Sequence, residues 1–467
     1  MPKRNVAWIL VIAVITLLMW QLPQKIAERD VIYRAFGPLA DARAQIHKRH
    51  VNVTDDDELV RAAVDAGLRA MVAQLHDSHA IYLSQSEYER FRSRTDGVFG
   101  GIGVDVWLTP AGLEVLSRDP NSPAAQAGIL PGDIITHIDG HAANALTLVD
   151  AVNNLLNGPP DTEAELTIVR PTDSVAKPPH VMKVRRTEIH VDSIRGWLRQ
   201  GAGGWNYVLD PVERVAYVRL TKFTQDVDER LDSVMAGLLQ QGLRGLILDL
   251  RDNTGGLLDS ARETADRFLD AGLIVRTGGR RVDDKQWFAM RDGTYPAFPM
   301  VVLINGSTAS AAEIVAGALR DHRRALVVGE RSYGKGSVQE VVELDNNCGA
   351  IKLTTSYYFL PSGQCIDRTF RSGSKDAWGV MPTVEVVLSD RQRKKCVDAW
   401  REVTRELVPP ASQPATQPTS ETVDAAAASK RLLEADLQLK KGYELLLERL
   451  ASGVPAESPA TTQPGAN

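Results

Sequence analysis

The first apolar run is broken only by Thr16. VAWILVIAVITLLMW, from Val6 to Trp20, carries no charge and follows Lys3 and Arg4. An apolar run behind cations predicts export, with a cytoplasmic tip and an extracytoplasmic body. The following QLPQKIAERD offers no A-x-A cleavage site, so residues 1–28 read as an uncleaved anchor in preference to a removed signal. Helical spacing takes over in ELVRAAVDAGLRAMVAQL, and residues 29–96 are expected to form a helical amino-terminal region. Over 97–186 the pattern changes to short runs cut by glycine and proline: GGIGVDVWL, LEVLSRDPNSPAAQAGILPGDIITHIDG and AELTIVR. These predict β-strands and tight turns. From 187 to 408, the apolar runs VAYVRL, GLILDL, MVVLI and ALVVG alternate with helical stretches, one near Asp226 to Gln241 and one from Ser310. That alternation predicts an α/β domain on a largely buried, partly parallel sheet. Residues 409–450 hold a solvated linker, PPASQPATQPTS, and a leucine-striped helix, AAAASKRLLEADLQLKKGYELLLERL; 451–467 should be disordered. The leucine stripe suits either a dimer contact or packing against the body.

Composition narrows the partners. The chain of 467 residues carries 54 lysines and arginines against 59 acidic residues, a net charge of -5, which gives no basic surface for nucleic acid. A neutral or protein substrate fits better. Cys348, Cys365 and Cys396 match no zinc or redox spacing, and a Cys348 to Cys365 disulfide stays open. His76 and His79 sit in HDSH with no third ligand near them in sequence, so packing or a helix-end hydrogen bond is preferred to a metal.

The β-rich stretch resembles a PDZ domain. The matching residues are the Gly100-Gly101-Ile102-Gly103 loop, Ser122-Pro123-Ala124 opening a short helix, the turn Leu130-Pro131-Gly132-Asp133, the strand Ile134 to Ile138 and the Asp139-Gly140 turn that closes it. PDZ domains take a peptide's free carboxylate on backbone N–H groups and add its last residues as a strand. By that resemblance Gly101, Ile102, Gly103 and Val104 form the substrate-binding tail pocket. LNGPPDT at 156–162 departs from the basic, glycine-flanked turn usual in the family.

Candidate chemistry gathers in GERSYGKGSVQ, 329–339. A P-loop would need Ser or Thr directly after its lysine and a helix beyond it. Here Gly336 takes that place and a strand-like VQEVVEL follows, so a phosphate cradle is disfavoured. A lysine can instead act as a general base when burial disfavours its charged form. A nucleophile for it lies upstream in MVVLINGSTASAAEIVAGALRD, which reads as buried strand, tight loop and helix. That order presents Ser310 beside a helix amino terminus, where free N–H groups favour developing negative charge. LILDLRDNTGG brings a second glycine turn, so the Ala311 N–H and a glycine N–H from Gly255 or Gly256 could form an oxyanion hole.

These segments together are similar to the carboxy-terminal processing, or tail-specific, serine peptidases. The resemblance covers about residues 57–390 and the late helix. It rests on Thr308-Ala309-Ser310-Ala311-Ala312-Glu313, on Asp249 through Gly256 and on Gly334 through Gln339. It implies a crotonase-like α/β peptidase core with an inserted PDZ domain and flanking helical segments. It also implies Ser310 as nucleophile, Lys335 as base and Gln339 as the residue orienting the lysine, with no metal or organic cofactor. Thr308, Ala312 and Thr383 depart from the family's residues. The expected protein is a serine endopeptidase acting on protein or peptide substrates with free carboxyl termini. It is expected to be periplasmic and held to the inner membrane by its first segment, with a second copy or an adaptor as further partners. The rival readings are an inactive or adaptor-dependent PDZ tether, and an acyl-CoA hydrolase or hydratase on the same core.

Overall fold

A computed structural model describes residues 36–452 apart from 53–54, 78, 96–97, 120, 146–155, 157, 172–177, 191, 201–203, 281–282, 371–377 and 405–423. The expected anchor, 1–28, lies outside them, and among the described residues no helix is long and apolar enough to cross a membrane. Two compact units result: the described residues up to Gln85 with Val341–Leu353, and Ser86–Glu340 with the chain from Thr354 onward.

In the first unit, helices α1 (36–49) and α2 (Asp56–Ala73) are followed by a short strand, β1 (Ile81–Leu83). The Asp55 side chain caps α2 by accepting from the Asp57 and Glu58 N–H groups. The region is therefore not helical throughout. Ile81, Tyr82 and Leu83 pair antiparallel with Lys352, Ile351 and Ala350, a partner that local periodicity cannot reveal. Val72, Ala80 and Tyr82 make a small core with Leu68, Leu344, Ile351 and Leu353.

The second unit opens with helix α3, which runs to Thr95 from Gln85, and with β2 (Val98–Gly101), paired to β8 (Thr187–His190). Between them lies an antiparallel sheet in the order β3 (Val104–Thr109), β4 (Gly112–Arg118), β5 (Ile134–Ile138), β6 (Glu163–Val169), β7 (His180–Arg185). Leu113, Val115, Ile135, Ile138, Leu166 and Ile168 fill its core. Ser122 caps the short helix α4 (Pro123–Gln126), and Asp133 closes the 130–133 turn by accepting from the Leu130 N–H at 2.9 Å while pairing with Arg170. Among the described strands, β3 lies at the sheet's edge.

The larger sheet runs β9 (Ile194–Arg195), β10 (Val215–Leu220), β11 (Gly245–Asp249), β13 (Met300–Ile304), β14 (Leu326–Gly329), β17 (Val384–Glu385), with β12 (Gly272–Gly278) set aside in another sheet. It is parallel from β10 to β17. Alternate residues explain its all-apolar runs. Leu246, Leu248, Met300 and Val302 face a layer holding α5 (Val227–Gln240), α6 (Leu258–Asp266) and α7 (Ala311–Asp321). Ile247, Val301 and Leu303 face α8 (Asp390–Thr404), α9 (Ala425–Ala435) and α10 (Leu437–Ser452). The leucine-striped helix is thus two helices, broken at Asp436 (φ -99°, ψ 94°), and Leu432, Leu439 and Leu446 pack on the sheet. VQEVVEL is indeed extended: β15 (Ser337–Glu343) returns through β16 (Ala350–Phe359). Both strands cross from one unit to the other, at Val341 on the way out and at Thr354 on the way back.

Candidate active site

Three chain segments at the carboxyl ends of β11, β13 and β14 are stitched together by hydrogen bonds. Past β13, the Thr308 hydroxyl donates to Leu250 O at 2.8 Å and the Ala309 N–H to Asn253 O at 2.9 Å, which ties the serine turn to the glycine turn. The Tyr333 N–H donates to Thr308 O at 2.9 Å, which ties in the lysine loop. Thr308, a departure from the family pattern, therefore does structural work with both its side chain and its carbonyl.

Ser310 sits at the amino-terminal cap of α7 with φ 57° and ψ -120°, a conformation rare for a residue with a Cβ, and its side chain is half-buried. What holds it there is Glu313. This carboxylate is fully buried and accepts four hydrogen bonds. Oε2 takes the Ser310 N–H at 2.7 Å and the Lys335 N–H at 2.8 Å. Oε1 takes the Gly334 N–H at 2.7 Å and the Ser332 hydroxyl at 2.5 Å. Burial pushes the Glu313 pKa up, and the four donors work against that shift. One side chain thus positions both candidate catalytic residues through their backbones. Sequence reasoning gave it no role because an acid in the first turn of a helix reads as an ordinary cap.

Lys335 is half-buried, and burial pulls its pKa below the usual lysine value against a smaller opposing pull from Glu313. Among the described residues, no hydrogen bond joins its amine to the Ser310 hydroxyl. Gln339 donates its side-chain N–H to Ser337 O and Oγ, at 3.2 and 2.8 Å, so this end of the amide is spent on Ser337 and not on Lys335.

The glycine turn comes against the serine as expected. Gly255 has φ 101°, and a Cβ there would lie 2.8 Å from Ser310 Cβ and 3.0 Å from Ala311 N. Its own N–H, however, donates to Asn253 Oδ1 at 2.8 Å. In this arrangement an Asx turn engages that N–H, which leaves Gly256 as the glycine whose N–H is open to the serine. Gly256 and Ala311 stay the candidate donors, the latter carrying a first-turn N–H with no intrahelical acceptor.

Beneath the glycine turn lies a buried ionic network. Arg251 grips Asp249 through Nε and Nη2, with the closest contact at 2.6 Å, and reaches Asp436 at 2.9 Å through Nη1. Tyr217 donates to Asp249 at 2.6 Å and Trp400 to Asp436 at 2.8 Å. Burial disfavours the charge on Asp249, yet Arg251, Arg219 and Tyr217 hold its pKa below the ordinary value. Asp436, at the break between α9 and α10, is part of this network.

In the PDZ domain, Ile102 is buried, Gly103 has φ 75°, and the carbonyls of Ile102 and Gly103 are taken by the Ala124 and Asp119 N–H groups at 2.9 and 3.0 Å. Gly101 ends β2 and Val104 begins the edge strand β3. Elsewhere, His322 caps the carboxyl end of α7, and Thr383 accepts from the Val327 N–H at 3.2 Å. All three cysteines are free. Among the described residues, no group of three or more His, Cys, Asp or Glu is arranged to hold a metal ion.

Comparison with known proteins identifies the family. The pattern of peptidase family S41 matches residues 214–386, and that of a PDZ domain residues 114–170. The carboxy-terminal-processing protease of Bartonella bacilliformis is 37% identical over 339 residues, 72% of this chain and 73% of that protein. Carboxyl-terminal-processing peptidase 2 of Arabidopsis thaliana chloroplasts is 34% identical over 308 residues, 64% of this chain and 58% of that protein. Among solved structures, the photosystem II D1 C-terminal processing protease is similar at 26% identity and a TM-score of 0.43, covering 74% of this chain and 92% of that one. With its serine turn, lysine loop and PDZ sheet in one compact unit, the chain belongs to the carboxy-terminal-processing serine peptidases of family S41.

Proposed function

We propose that this peptidase takes a protein's free carboxyl tail in its PDZ domain and cuts the chain at Ser310 with Lys335 as base. The observation that carries this reading is the Glu313 carboxylate, which accepts from the backbone N–H groups of Ser310 and Lys335 at once. Ser310 Oγ attacks the scissile carbonyl carbon while Lys335 Nζ takes its proton, and the oxyanion forms against the N–H groups of Gly256 and Ala311. Lys335 then gives the proton to the leaving amine. Water, deprotonated by the same amine, hydrolyses the acyl-enzyme. The carbonyl end of the Gln339 amide is the end that would accept from Lys335 and orient it. In the PDZ domain, the Gly101–Val104 loop would hold the tail carboxylate and the free edge of β3 the preceding residues. We place the body on the periplasmic side, anchored by the apolar amino-terminal segment.

The test uses the full-length chain and paired peptides that differ only in a free or amidated carboxyl terminus. Cleavage of the free-tailed peptide should exceed that of its amide, and Ser310→Ala and Lys335→Ala should each lower it by about a thousandfold or more. Undiminished cleavage in Lys335→Ala removes the proposed base. Binding of the tail without any cleavage in the native chain favours the tether reading.

A further inference from the structure

Where the neighbouring strands β11 and β13 stop, side chains take over from backbone pairing. The Leu250 N–H still donates to Leu303 O at 2.9 Å. Just beyond, the Asn305 amide spends both its ends on Asp252: Oδ1 accepts the Asp252 N–H at 3.0 Å, and Nδ2 donates to Asp252 Oδ1 at 2.8 Å. The same Oδ1 accepts the Ser307 N–H at 3.1 Å, inside the turn that leads to Ser310. The Asn305 backbone is bound within that turn as well, its N–H donating to Thr308 Oγ1 at 3.0 Å and its carbonyl accepting the Thr308 N–H at 2.9 Å. An amide suits this place because it accepts at one end and donates at the other. A carboxylate of the same length would take both N–H groups but meet Asp252 with a like charge. Asp252 has φ 60°, a left-handed conformation that Asp and Asn tolerate better than most residues, and its Oδ2 accepts from Arg219 at 3.2 Å. From Asp252 the chain runs directly into Asn253 and the Gly255–Gly256 turn.

We infer that Asn305 is a positioning residue for cleavage: clasped to Asp252, it holds the turn that carries Ser310 in register with the turn that carries Gly256. The inference rests on the reading of Ser310 as nucleophile and Gly256 as oxyanion donor, two groups that must address one carbonyl and that lose rate steeply on displacement. Asp252 is exposed, and the Thr308 hydroxyl and the Ala309 N–H make two further bonds between the turns, so the clasp sets the fine register and its loss is expected to slow the reaction without abolishing it.

Exchanging the two side chains in the full-length chain tests it, with kcat and KM measured on a free-tailed peptide and denaturant unfolding used to show that each variant is folded. Asn305→Asp sets two carboxylates against each other and should lower kcat by about tenfold, with KM within about twofold of native. Asp252→Asn keeps an acceptor for Asn305 Nδ2 and should cost less than Asn305→Asp. The double variant, Asn305→Asp with Asp252→Asn, again sets an amide opposite a carboxylate and leaves the amide oxygen at 252 to accept from Arg219. Its kcat should return to within about threefold of native. A side chain that served stability alone would change the folded fraction and leave kcat of the folded chain unmoved. Ser310→Ala in the same assay separates the inference from the reading beneath it: cleavage that survives this substitution overturns both. With Ser310→Ala inert, a native kcat in Asn305→Asp, or a double variant no faster than Asn305→Asp, overturns the clasp alone. If Asn305→Asp does not fold, the double variant decides: near-native kcat supports the clasp, and an unfolded chain or a loss of about tenfold overturns it.

Discussion

The molecule carries two glycine-rich connections, one at Gly100–Gly103 where β2 leads into the PDZ sheet and one at Gly255–Gly256 in the core. They are held in different ways. The PDZ turn is fixed by its own domain: a Cβ on Gly103 would meet Ser122 Cβ at 2.3 Å, and the loop carbonyls bond to residues 119 and 124. The core turn is fixed from outside, by the serine turn above and by the Asp249–Arg251–Asp436 network below, whose last member arrives from a different helix pair. A turn held locally can bind a ligand while the rest of the protein varies. A turn held by three distant segments becomes part of one rigid constellation, which suits chemistry that fails at displacements of about 1 Å.

Experiments can break this contrast, starting from the heaviest expected loss. Glu313→Gln replaces an acceptor of four hydrogen bonds by a group that can accept only on one side. Cleavage should fall about a hundredfold or more and stability by about 3 kcal/mol, read by kinetics and denaturant unfolding, with tail binding retained. Loss of tail binding alongside cleavage would show that the two turns are not independent. Gly255→Ala places a methyl against Ser310 Cβ at a φ unfavourable to alanine. It should lower kcat by about a hundredfold while leaving the affinity for a tail peptide unchanged. Gly103→Ala is the mirror experiment. Strain at φ 75° should weaken tail binding about tenfold and raise KM, while kcat stays near the native value.

The smallest effect lies in the pH profile. With the Lys335 pKa lowered by burial, activity should climb as pH rises through that lowered value and level off above it. The folded chain then binds fewer protons than the unfolded chain between that value and the ordinary lysine pKa of 10.5, so stability rises with pH across the same window. Lys335→Met should abolish that slope and be the more stable protein at neutral pH. A pH-independent kcat/KM in the native chain would remove the neutral amine from the mechanism.

The sequence made some of this legible and hid the rest for physical reasons. The strands VAYVRL, GLILD, MVVLI and LVVG were readable because both faces of the sheet are covered, which leaves runs with no polar alternation. Ser310 and Lys335 stood out because small residues crowd around each. Glu313 did not, since its importance lies in four donors that folding brings to it from residues 310–335. Asp436 was concealed inside a regular leucine repeat, where one acidic residue suggests a solvated helix face and not a buried counter-ion to Arg251. The Asx turn that consumes the Gly255 N–H was spelled out as Asn253-Thr254-Gly255, and was masked by the expectation attached to a glycine pair. Strand β1 depends on a partner far along the chain, a contact that short-range periodicity does not encode.

The strand that leaves the Lys335 loop does not end in the unit where it begins. Within a few residues, at Val341, it becomes part of the unit whose small apolar core takes in Leu344, Ile351 and Leu353 before the chain returns at Thr354. The Lys335 loop is therefore joined by continuous chain, through β15, to a unit that has a small apolar core of its own.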